Sequence, residues 1–153
     1  MPTETIRPTA HTVDDPTVLT PASSYNGNTA DYAQHQQPTV GQVSRLTVRG
    51  FPADASPASR TSVILSVHGS WKSADTTYDS FKVYFRKIST DAWTEVLSDQ
   101  PGGAGWPDQP SQSARTVDIT ALCGSQPSTD WEVGTQFFNG AALAPTPPSY
   151  TVA

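Results

Sequence analysis

A chain of 153 residues carrying 9 basic and 14 acidic side chains, net charge −5, has the length of one domain. It is too acidic for binding driven by phosphate neutralisation, and too weakly charged for repulsion alone to keep it unfolded. Leu, Ile, Val and Phe supply only 27 residues while Ser and Thr supply 37 and Gly and Pro 24, a balance poor in helix formers that points to an all-β chain.

Taken in chain order, residues 17–20 read as a short strand and residues 29–34 could hold one helical turn. Residues 43–49 alternate Leu46 and Val48 against Arg45, Thr47 and Arg49, the period of a half-buried strand. Residues 61–71 put Val63, Leu65, Val67, Gly69 and Trp71 on one face, with Ser62, Ser66, His68 and Ser70 opposite. In residues 80–88, Phe81, Val83 and Phe85 alternate with Lys82, Tyr84 and Arg86. Ser89 to Ala92 then form a hairpin connection to a strand over residues 93–97. Residues 115–122 place Val117 and Ile119 inward, residues 131–138 place Trp131, Val133 and Phe137 together, and residues 149–152 form a terminal strand. About eight short strands with turn clusters between them predict an antiparallel, jelly-roll-like β-sandwich. It is read as one domain, residues 1–153, with proline-rich terminal segments at 1–16 and 141–153.

Several function classes drop out. No run of about 18 apolar residues could span a bilayer, so no membrane partner is expected, and no nucleic acid either. Met1 to Thr5 carries no basic region leading into an apolar stretch, so no secretory signal is expected. The lone Cys123 excludes an internal disulfide and a cysteine-based zinc site; ending an apolar strand, it reads as a buried thiol rather than a nucleophile. His11, His35 and His68 stand apart, without metal-ligand spacing. No G-x-S-x-G elbow and no phosphate-binding glycine loop with its lysine occurs, so no cofactor is expected. Asp14 with Asp15, Asp75 with Asp79, and Asp130 with Glu132 are the close acidic groupings, each accounted for as turn carboxylates. Asp75 and Asp79 could also supply two oxygens to a structural calcium. The chain is not expected to be an enzyme.

Three loops are long: residues 51–60, 98–113 and 140–148. Loops beyond about 12–15 residues tend to be functional. The second holds Trp106 between Gly105 and Pro107, and Tyr25 lies beside the turn residues Asn26-Gly27-Asn28. An exposed loop tryptophan stacks on sugar rings or anchors a protein partner; one whose loop folds back becomes a lid. Pro145, Pro147 and Pro148 fix φ and lack amide donors, so their stretch is expected to run extended over a surface and serve assembly. The contact residues read from the sequence are therefore Trp106, Pro107, Tyr25, Pro145, Pro147 and Pro148.

Four segments occur in a telling order: Thr5-Ile6-Arg7-Pro8; Thr29-Ala30-Asp31-Tyr32-Ala33; Leu46-Thr47-Val48-Arg49-Gly50-Phe51; and Thr116-Val117-Asp118-Ile119-Thr120-Ala121-Leu122. Together the chain resembles the small jelly-roll minor tail proteins of long-tailed phages infecting high-GC Gram-positive bacteria. The resemblance implies a jelly-roll fold, a structural place in the virion tail, other virion proteins and copies of itself as partners, and no catalytic residues. Two other readings share the fold: a carbohydrate-binding, receptor-contacting module that meets cell-surface glycan, and a capsid decoration protein. A binding module requires two or three exposed aromatics on one sheet face or loop rim. A structural subunit requires long loops and proline-rich ends ordered by neighbours. With Trp106 as the one exposed aromatic expected, the sequence leans toward assembly.

Overall fold

The computed structural model describes residues 4–13, 18–19, 22, 33–35, 43–54, 57–71, 80–90, 92–100, 105–107, 111–138 and 149–152. Ten strands occur among them: β1 (Ala10–Val13), β2 (Val18–Leu19), β3 (Ala33–His35), β4 (Val43–Arg49), β5 (Ile64–Ser70), β6 (Ser80–Lys87), β7 (Thr94–Asp99), β8 (Ser113–Asp118), β9 (Trp131–Phe138) and β10 (Ser149–Val152). They form two five-stranded sheets, ordered β1-β4-β9-β6-β7 and β2-β3-β10-β5-β8, with antiparallel pairing throughout. The antiparallel β-sandwich expected from the alternating strands is the fold observed.

Period-2 alternation places the core between the sheets. Leu46, Val48, Phe81, Val83, Phe85, Leu97, Trp131, Val133 and Phe137 face inward from one sheet, and Val18, Leu65 and Val67 from the other, with Trp71 just beyond β5. Aromatic edges interlock there: Trp71 meets Phe137 at 6.4 Å and Phe85 meets Trp131 at 5.9 Å between ring centroids.

The departures from sequence expectation have physical causes. Ala33 and Gln34, read as part of a helical turn, are in β3, because pairing with β2 and β10 overrides weak local preference. β1 lacks strong alternation and is held by its partner β4. β8 stops at Asp118, whose carboxylate accepts hydrogen bonds from the backbone N–H and hydroxyl of Thr120. A single helical turn, α1 (Thr120–Cys123), follows. The C-terminal strand pairs on both sides, with β3 and β5, so the end of the chain is inside a sheet. Removing β10 would therefore break a sheet interior, as expected for the strand read at residues 149–152. Pro145, Pro147 and Pro148, Tyr25, and the Asp75–Asp79 pair lie outside the described residues.

A polar bridge at His35 crosses the core. His35 of β3 is fully buried, with Nδ1 2.5 Å from Ser44 Oγ and Nε2 3.2 Å from Thr135 Oγ1. The Thr135 hydroxyl donates to the Leu46 carbonyl, so Nε2–H donates to Thr135 and Nδ1 accepts from Ser44. Burial pushes this imidazole down to about 3, holding it neutral.

Candidate functional site

The loop tryptophan is not a surface residue. Trp106 is 3% exposed, its ring meets Phe81 edge-on at 5.1 Å, and its Nε1–H donates to the Val67 carbonyl at 3.1 Å. Asp99, also buried, fastens the loop: one carboxylate oxygen accepts from Trp71 Nε1 at 2.8 Å and from the Trp106 backbone N–H at 3.0 Å. The other lies 3.3 Å from Arg115 Nη1. Gly105 permits this, since a Cβ there would fall 1.7 Å from the Asp99 carboxylate. Pro107 completes the seal, its carbonyl accepting from the Trp71 N–H at 2.8 Å. The reading of Trp106 as an exposed contact residue is thereby corrected, while Pro107 is half-buried. Glycine and proline signalled an open loop, but a buried carboxylate and a strand carbonyl satisfied the indole and its backbone inside the core.

Among the described residues the exposed aromatic lies elsewhere. Trp93, just before β7, is 40% exposed and rests on the outer face of the β1-β4-β9-β6-β7 sheet. Gly134 of β9 makes the seat: a Cβ there would meet the indole at 3.1 Å. The Arg86 guanidinium stacks on the ring 4.5 Å from its centroid and is itself paired with Glu132 at 2.6 Å. Half-buried Tyr84 pairs across the strands with Gly134 and Glu95. β7 carries a bulge at Val96, which keeps Glu95 on this outer face while Leu97 points in.

Trp93, Gly134 and Tyr84 line a shallow trough of about 250 Å³ together with Arg45, Thr47 and Gln136. Registration assembles it. Arg45, Gln136 and Lys82 form one cross-strand row, and Thr47, Gly134, Tyr84 and Glu95 form the next. Arg45 Nε donates to Gln136 Oε1 at 3.2 Å and Lys82 Nζ to Glu95 Oε2 at 2.8 Å. The floor is backbone and glycine, one wall is aromatic, and the rim carries amide, hydroxyl and guanidinium groups.

The sequence placed Tyr84 on the polar face of its strand and passed over Trp93. A glycine inside an otherwise strong strand was the available signal, since it marks a site of close approach.

Asp14 and Asp15 lie outside the described residues, and the described acidic pair and cysteine are accounted for. Asp130 accepts from the Ser89 N–H and hydroxyl, and Glu132 is taken by Arg86, so this acidic pair serves packing. Cys123 is buried, and burial pushes its thiol up to about 12. Among the described residues no three His, Cys, Asp or Glu side chains converge as metal ligands, and no helix is long and apolar enough to cross a membrane.

No protein-family model matches the chain, and no curated protein does. Solved structures do resemble it. A chitosan-binding module from a chitosanase/glucanase of Paenibacillus sp. IK-5 is similar over 96% of each chain, with TM-score 0.52 and 12% identity. The CBM32 module of AlyQ in complex with 4,5-unsaturated mannuronic acid covers 97% of this chain and 96% of its own, with TM-score 0.49 and 15% identity. The CBM35 module from Paenibacillus barcinonensis covers 97% and 96%, with TM-score 0.41 and 15% identity. The first of these shares the β-sandwich fold with the chain.

Proposed function

We propose that the chain is a non-catalytic carbohydrate-binding β-sandwich that meets glycan on the outer face of its Trp93 sheet. The observation that carries this reading is the seat of Trp93, an indole two-fifths exposed that packs on Gly134 beside Tyr84. Keeping a large aromatic in water forfeits its burial, and stacking on a sugar ring recovers part of that loss. Trp93 supplies one exposed aromatic on a sheet face with half-buried Tyr84 beside it, whereas Trp106, the aromatic expected at the surface, is in the core. The chitosan-binding fold neighbour supports the same choice. The resemblance to phage minor tail proteins supplies a setting: a receptor-contacting subunit of a virion tail, associated with other virion proteins and with copies of itself. The test is a titration of the purified chain with a panel of bacterial surface polysaccharides, read by tryptophan fluorescence. A saturable change with at least one glycan is expected; silence across neutral, acidic and basic glycans overturns the reading.

A further inference from the structure

The outer face of the Trp93 sheet contrasts in charge with the rest of the chain. The whole chain carries −5. Among the described residues this face presents four cations, Arg45, Arg49, Lys82 and Arg86, against two carboxylates, Glu95 and Glu132. Both carboxylates are taken, Glu95 by Lys82 and Glu132 by Arg86. Arg45 and Arg49 have no carboxylate partner among the described residues. Of these two, Arg45 lines the trough, and its one hydrogen bond is Nε to Gln136, which leaves both terminal nitrogens of the guanidinium to donate.

Its position suits a ligand on Trp93. Arg45 faces Gln136 across the strands, so Gly134, two residues back on β9, is its diagonal neighbour. Diagonal positions lie roughly 7–8 Å apart, within reach of a long side chain. A guanidinium with a free edge recognises a planar carboxylate through two parallel hydrogen bonds.

Resting on the carbohydrate-binding reading, we propose that the trough selects acidic sugars, with Arg45 taking the uronate carboxylate while the ring lies on Trp93. Gln136, oriented by Arg45, and Thr47 face the hydroxyls. The net cationic face draws anionic chains to an otherwise acidic protein. Chitosan, itself a polycation, would be repelled, so the preference differs from that of the chitosan-binding fold neighbour.

The experiment compares oligogalacturonate, cello-oligosaccharide and chitosan oligomers of equal length by calorimetry, with polyglutamate as a polyanion lacking sugar rings. Oligogalacturonate is expected to bind at least tenfold tighter than either other sugar, and polyglutamate weakly. Arg45→Gln is expected to lower oligogalacturonate affinity about tenfold, toward that for cello-oligosaccharide. Arg49→Gln, on the same face outside the trough, is expected to lower it by less than threefold. Neutral oligomers binding as tightly as acidic ones would overturn the acidic preference while leaving the carbohydrate-binding reading standing. Equal loss in the two arginine variants, or polyglutamate binding as tightly as the acidic sugar, would reduce the effect to general charge and overturn it. Binding of none of the sugars would overturn both.

Discussion

Trp106 and Trp93 show how differently one residue type is used in two regions of the same sandwich. Trp106 comes from a glycine- and proline-rich loop and ends in the core, because Val67 supplies an acceptor for its indole and Asp99 an acceptor for its backbone. Trp93 adjoins strand β7 and stays at the surface, because the sheet beneath it offers a glycine seat and an arginine rather than a cavity. Local sequence context would assign them the other way round. What separates them is whether the fold supplies partners for the indole N–H and closes over the ring. Each depends on a glycine, Gly105 admitting the Asp99 carboxylate and Gly134 admitting the indole.

The comparison breaks most visibly at Trp106. Trp106→Ala is expected to cost about 3–5 kcal/mol, which for a domain of this size lowers Tm by roughly 10 °C. A melting temperature within about 2 °C of the parent would show that Trp106 is not core.

A second expectation concerns the polar bridge in that core. Because the folded chain holds His35 near 3, below the unfolded value of 6.5, the unfolded state takes up a proton first as pH falls. Stability is complete above about 6.5 and declines toward 3, at a slope of about 1.4 kcal/mol per pH unit for one proton. Urea midpoints compared between the parent and His35→Gln from neutral to acid pH isolate this proton. Parallel curves for the two proteins would contradict the assignment.

Gly134→Ala sharpens the surface half of the comparison. The new methyl would displace the indole, and Ala is better tolerated than Gly in a strand by roughly 0.5–1 kcal/mol. Tm is expected to hold or rise slightly. Glycan affinity is expected to weaken roughly three- to tenfold, the equivalent of an aromatic contact of about 0.5–1.5 kcal/mol. Unchanged affinity would mean that the seat does not matter.

The sandwich was legible because alternation is a direct consequence of strand geometry. Leu65 with Val67, Phe81 with Val83 and Phe85, and Trp131 with Val133 each declared an inward face, and each is buried. The short strands at Ala10–Val13 and Ala33–His35 were not legible, because cross-strand pairing rather than residue type holds them. His35 gave no signal of its own: its partners Ser44 and Thr135 are 9 and 100 residues away. The trough is likewise non-local, since register alone brings Arg45 beside Gln136 and Gly134 beside Tyr84. The charged face of β6 was visible in the sequence; the tryptophan laid across it was not.

The most direct test is Trp93→Ala, assayed for glycan affinity and melting temperature on the same sample. Affinity is expected to fall by more than about thirtyfold, as for an interface anchor worth about 2 kcal/mol, with Tm within about 2 °C of the parent. Undiminished binding, or a loss of stability as large as that of Trp106→Ala, would contradict the account of Trp93 as the surface on which glycan is met.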